Sequence, residues 1–167
     1  SLALLCAVPT LAQQTVGVFI QDEQAQPGYT FFSPMPSDVT YLIDNGGHVV
    51  HSWTNDGSPS LNAYLLENGN LLHMTNVNSQ FGSQVTEKTW DGTIVWEWVS
   101  NNPQQLIHHD IEPMPNGNVL MVARQVKTGP EALAAGRDPA MLGENTLYPD
   151  SIIEVQPTGP NSGIVVW

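Results

Sequence analysis

Positive charge is scarce in this sequence. Four Lys and Arg stand against 16 Asp and Glu in 167 residues, a formal net charge of −12. Nucleic acid is held by basic stripes, so it is excluded as a partner. An anionic small molecule is repelled at long range. Salt screens that repulsion beyond about 8 Å, so a local cation can still hold one. Cysteine is nearly absent: the one copy, Cys6, lies in an apolar leader. Past that leader neither a disulfide nor thiol chemistry is expected. Long apolar runs are missing as well, so no membrane span is expected. Only 12% of residues are charged, yet five Trp, four Tyr and four Phe sit in regular apolar runs. That distribution excludes a disordered chain.

Turn chemistry is what the sequence has in quantity, with 14 Gly and 13 Pro. They punctuate short apolar runs, and the length suits one domain. The pattern reads as all-β. The leader, SLALLCAVPTLAQQ, has an apolar stretch followed by small residues. Residues 1–12 read as the remnant of a secretory signal peptide, with Thr10 and Ala12 at the −3 and −1 positions. Cleavage after Ala12 leaves Gln13 first. A lipoprotein reading of Cys6 is disfavoured by Leu5, where a small residue is expected.

Taken in order, residues 15–20 make a short strand candidate, and 29–32 an aromatic run that tucks against the core. Ser33-Pro34-Met35-Pro36 ends any strand there. Hairpins follow. Residues 40–43 and 48–53 flank Asp44-Asn45-Gly46-Gly47. Residues 63–66 and 71–75 flank Glu67-Asn68-Gly69-Asn70, and 85–89 and 93–98 flank Trp90-Asp91-Gly92. Residues 106–124 form the central hairpin about Pro115-Asn116-Gly117-Asn118. The last hairpin joins 151–155 to 163–167 across a longer turn.

An internal repeat emerges. The Asn-Gly-Asn turns at Asn68 and Asn116 lie 48 residues apart, and VVHSW and IVWEW lie 45 apart. A hairpin of the first kind and one ending in Trp alternate, so two hairpins build one four-stranded sheet. Four strands in about 45 residues is the signature of a β-propeller blade. About two and a half blades are expected, and the chain reads as the N-terminal part of a propeller ending inside a strand. A 25-residue insertion, 125–149, interrupts the third unit. Within it a short helix is expected at 130–135, with Pro130 at its first position and Gly136 as its C-terminal cap. The insertion either lids the channel mouth or packs on a neighbour.

The segments TYLIDNGGHVVHSW, AYLLENGNLLHM, DGTIVWEW, HHDIEPMPNGNVLMVAR and PDSIIEVQPTG together resemble the N-terminal part of the arylsulfotransferase family. The resemblance covers residues 28–167. It implies a secreted or periplasmic enzyme with a six-bladed propeller. It also implies sulfuryl transfer from a phenolic sulfate ester to a phenol, without a nucleotide donor, through a sulfohistidine and with no cofactor. The matching positions are His108 and His109, with Arg124 a looser match. This segment alone is expected to be inactive.

The residues support that chemistry in their own terms. Neutral imidazole is a nucleophile near neutral pH, and Arg stabilises negative oxygens. His109 is preferred, because Asp110 beside it could orient a ring nitrogen. On a regular strand His108 and His109 diverge, so only one faces the channel unless a bulge intervenes. Tyr64, at the repeat position of Glu112, is a candidate substrate-binding phenol, as is the Asp110 carboxylate. A metal site from His108, His109, Asp110 and Glu112 is disfavoured, since adjacent ligands diverge. Trp53, Trp96, Trp98 and Trp167 are expected to pack between sheets. His48, His51 and His73 are read as surface or packing residues. The alternative function is a non-catalytic propeller that binds a ligand or protein, a scaffold common to many roles.

The leader generates a direct test. N-terminal sequencing of the exported full-length protein should read Gln13-Gln14-Thr15. An exported soluble product that keeps residues 1–12 contradicts it.

Overall fold

The computed structural model describes residues 17–57, 59–78, 82–100, 102–143 and 145–167. The leader and its cleavage site lie outside the described residues. The fold is all-β and antiparallel. The first sheet has three strands in the order β1 (Tyr29–Phe32), β2 (Val39–Asp44), β3 (Val49–Thr54). The second is β4 (Pro59–Leu65), β5 (Leu71–Asn78), β6 (Gly82–Lys88), β7 (Ile94–Val99). The third joins β8 (Gln105–Pro113) and β9 (Val119–Gln125) to β12 (Asp150–Gly159) and β13 (Ser162–Val165). Between β9 and β12, β10 (Lys127–Thr128) and β11 (Thr146–Leu147) prolong the hairpin as a two-stranded ribbon carrying α1 (Gly129–Ala134). Residues 17–20 form no strand, so of the 15–20 candidate the described part is irregular. The 29–32 run is a strand whose Phe31 packs against Leu42 and Trp53 as expected, whereas Tyr29 is exposed. No helix among the described residues is long and apolar enough to cross a membrane.

The turns explain the hairpins. Gly69 and Gly117 both sit at φ +82°, a region closed to most side chains. Their N–H groups donate to the Leu66 and Met114 carbonyls, each at 2.9 Å. Asn68 and Asn116 accept from the backbone N–H two residues on, at 2.9 and 3.0 Å. The two turns are thus chemical copies. The helix follows its signals too. Thr128 caps it in a capping box with Glu131, and Gly136 follows its C-terminus at φ +93°.

Strand alternation gives each sheet two faces, and the sheets stack in chain order. Leu72, Met74, Val85, Trp96 and Trp98 face the third sheet, where Ile107, Ile111, Val119, Met121, Ala123, Ile153 and Val155 meet them. Leu71 points the other way, against Leu42 and Trp53 of the first sheet. The outer hairpins are tied by hydrogen bonds. Trp53 Nε1 donates to the Thr89 carbonyl at 3.1 Å, and Trp96 Nε1 to that of Ser162 at 3.0 Å. Three of the four Trp expected between sheets are therefore buried there, whereas Trp167 is 72% exposed. His51 stacks on Trp90 at 4.0 Å, and His48 pairs with Asp44 at the surface.

Between the first two sheets lies a buried polar layer of Thr40, Asn55, His73, Thr75, Thr86 and Lys88. Lys88 Nζ donates to the Thr54 carbonyl at 2.9 Å and lies 3.7 Å from Asp56. His73 is 1% exposed, and neither ring nitrogen has a hydrogen-bond partner. Burial, and then the Lys88 ammonium, push its imidazole from 6.5 down to about 4, against a weaker pull from Asp56. The folded state keeps His73 neutral while the unfolded chain protonates it. Stability is then full above the ordinary value and is lost as pH falls towards about 4, by roughly 3 kcal/mol in total. In urea unfolding, wild type should lose about 2 kcal/mol more than His73→Gln between pH 7 and pH 5. Parallel losses in the two proteins contradict the assignment.

The stack has two uncovered faces. On the third sheet, Leu120, Val122 and Ile152 occupy the positions that Leu72, Met74 and Val85 hold on the second, and Ile152 is 55% exposed. Trp167 matches Trp96: its carbonyl accepts from Glu154 N–H, as Trp96 pairs with Glu87. On the first sheet, Phe32 stacks on Tyr41 at 5.7 Å on the face turned from the second sheet. The two faces repeat the chemistry already buried inside. In sedimentation velocity the 167-residue chain should run larger than a monomer, and Ile152→Glu should shift it back. A wild-type chain that stays monomeric at high concentration contradicts this.

Candidate functional site

The histidine pair sits where β8 breaks its ladder. Ile107 pairs with Ala123 and Ile111 with Met121, so His108, His109 and Asp110 together stand opposite Val122 alone. Both isoleucines are held in the core between the second and third sheets, which pins the bulge at its two ends. The extra length is taken up at His109, whose φ is +62°. Non-glycine residues are uncommon in that region and concentrate at strained, functional positions. Bulges re-aim side chains, and this one brings together two rings that a regular strand would send apart. His108 Nδ1 lies 2.6 Å from His109 Nδ1, with the rings edge-to-face at 4.8 Å between centroids.

His108 has a second partner, Asp150, the first residue of β12. His108 Nε2 and Asp150 Oδ1 are 3.1 Å apart, and the imidazole is about three-quarters covered while the carboxylate is mostly exposed. His109 is exposed. Arg124 is expected near the HHD end of the hairpin, and the register places it there. It pairs with Leu106, two residues before His108, on one side and with Asp150 on the other. Its guanidinium carbon lies 5.1 Å from the centroid of the Tyr148 ring. That cation–π contact helps to place the charge at the end of a long stem.

Two expected site residues are engaged elsewhere. Asp110 accepts a hydrogen bond from Asn62 of β4 rather than orienting His109. The carboxylate that meets an imidazole is Asp150, and the imidazole is that of His108. The Tyr64 hydroxyl donates to Glu112 Oε2 at 2.9 Å. Burial, then that hydrogen bond and the Glu112 and Asp110 charges, push the phenol up to about 12. Tyr64 therefore stays protonated, with its proton directed at Glu112. Both bonds join residues 48 positions apart, so equivalent positions of consecutive repeats touch across the β4–β8 seam.

Sequence reading missed Asp150 and Tyr148. Asp150 lies in the PDSIIEVQPTG segment but had no role assigned to it, Tyr148 lies in none of the quoted segments, and both reach the site only because β12 pairs with β9 after the insertion. The one available signal was register: a β9 partner strand starting at Pro149-Asp150 must lie beside Arg124. The insertion leaves the sheet at this same end, and Tyr148 is the residue by which its return meets Arg124. Among the described residues no three His, Cys, Asp or Glu side chains are grouped to hold a metal ion. The assembled groups are an imidazole pair, a carboxylate on the inner ring and a guanidinium. Together they can accept a proton, attack an electrophile and hold an anion. No protein-family model matches the chain, and no curated protein matches it significantly.

Proposed function

We propose that the chain is part of a β-propeller, six-bladed when complete, that transfers a sulfuryl group from a phenolic sulfate ester to a phenol. The fold half of this reading is supported by the four-stranded sheets, their stacking in chain order and the β4–β8 seam. In a propeller that seam holds the innermost strands, next to the channel. The chemical half is carried by one observation: His108 and His109 meet at a bulge beside Asp150, with Arg124 on the adjoining strand.

The reaction runs in two displacements. An imidazole lone pair attacks the sulfur of the donor, and an N–S bond forms. The S–O(aryl) bond breaks, and its electron pair leaves on the phenolate, which takes a proton from solvent. The acceptor phenol then attacks the same sulfur through oxygen. The N–S bond breaks, its electrons return to the imidazole, and the acceptor's proton is lost to solvent. Arg124 offsets the charge on the sulfuryl oxygens, a type of contact that strengthens where negative charge develops. On a chain with 16 acidic residues a fixed guanidinium gives an anionic donor a defined landing point. The protein acts outside the cytoplasm, secreted or periplasmic, on the strength of its leader. Its partners are small phenolic molecules.

The test is release of a chromogenic phenol from its sulfate ester by the full-length protein, with and without an acceptor phenol. Arg124→Ala should lower the rate by about 10²–10³, and His109→Ala by more. Full activity in His108→Ala, His109→Ala and Arg124→Ala rejects the site. A wild type that transfers to no phenol leaves the ligand-binding propeller as the function.

A further inference from the structure

The hydrogen-bond chain Asp150–His108–His109 fixes which nitrogen carries which proton. A carboxylate can only accept, so the bond to Asp150 requires His108 to carry its proton on Nε2. Neutral His108 then has an unprotonated Nδ1. That atom lies 2.6 Å from His109 Nδ1, so His109 must be the donor there and carry its proton on Nδ1. What remains is His109 Nε2, with a lone pair and no hydrogen. We propose that Asp150 is a positioning residue that acts through His108 to present His109 Nε2 as the site's nucleophile.

The geometry around the chain fits this role. His109 is the exposed member of the pair and His108 the more covered one, so the supporting ring is the shielded one. The left-handed backbone at His109 turns its Nδ1 inward to His108. Asp110, the nearest carboxylate in sequence, is held away by Asn62 and does not compete for either ring. The chain also accounts for charge during the first displacement, and here it rests on the sulfuryl-transfer reading. Attack through Nε2 leaves His109 cationic, with a proton on Nδ1. That proton can pass to His108 Nδ1, and the resulting imidazolium is stabilised by Asp150. When the N–S bond breaks the proton returns along the same bond, so the balance closes without a co-reactant.

The experiment is ¹⁵N NMR of histidine-labelled full-length protein at neutral pH, with His109 assigned by substitution. Wild type should show His109 protonated at Nδ1 and bare at Nε2, and His108 the reverse. Asp150→Asn can offer an N–H to His108 Nε2, which turns the chain round and leaves the hydrogen on His109 Nε2. Its kcat for aryl sulfate should fall by at least about 10²-fold with KM little changed, while its thermal midpoint stays at the wild-type value. Asp150→Glu should restore the wild-type tautomers in part. A wild-type His109 carrying its proton on Nε2 overturns the proposal, as does an Asp150→Leu protein, which has no acceptor for His108 Nε2–H, with unchanged tautomers and unchanged kcat. An expected tautomer pattern in a protein that transfers no sulfuryl group rejects the reaction and leaves the relay standing.

Discussion

Burial between the second and third sheets holds the rest in place. Ile107 and Ile111 are both inserted in that layer, against Met74, Val85 and the two tryptophans of β7. Each large apolar side chain buried there contributes about 1.5–3 kcal/mol. That is enough to hold the two isoleucines opposite Ala123 and Met121, which have only one residue between them. Three residues of β8 therefore stand against one of β9, and the excess must leave the ladder. The His108–Asp110 bulge is the result. The burial of the two isoleucines together outweighs the strain at His109, since a sparsely populated backbone conformation costs about 1–3 kcal/mol.

The same packing explains why carboxylates collect along the seam without ruining it. Asp110 and Glu112 of β8 face Asn62 and Tyr64 of β4, and each carboxylate accepts from a neutral donor. A strongly acidic protein thus holds two of its acids there through hydrogen bonds from neutral side chains. Few cations are then needed for structure. Of those with described contacts, Lys88 is spent on the Thr54 carbonyl and Asp56, inside the layer between the first two sheets. Arg124 is placed on the site side of the third sheet by its register with Asp150.

Much of the architecture was legible because turn residues and periodicity are local. Asn68-Gly69-Asn70 and Asn116-Gly117-Asn118 announced two hairpins of one kind, and the grouping of hairpins into four-stranded sheets followed from their order. Pro130 and Gly136 bracketed the helix. The errors have physical causes. Of the 29–32 run only Phe31 reaches the core, because strand pairing with β2 turns alternate side chains away from it. Trp167 shares the pattern of the packed tryptophans, but burial depends on what lies opposite. For the site, HHD and Arg124 stood out by residue type, and the antiparallel hairpin brought their ends together. The bulge did not stand out: it comes from where Ile107 and Ile111 are held, a tertiary constraint. Asp150 was hidden by the insertion, across which only strand register carries the information.

On the proposed sulfuryl-transfer function, His109 becomes covalently sulfurylated during turnover. The most direct measurement is mass spectrometry of the full-length protein quenched during turnover of an aryl sulfate, followed by peptide mapping. The account predicts the added mass of one SO₃ group on the β8–β9 peptide, localised to His109 and removed when an acceptor phenol is supplied. An adduct confined to a residue outside that hairpin, or turnover with no adduct anywhere, contradicts it.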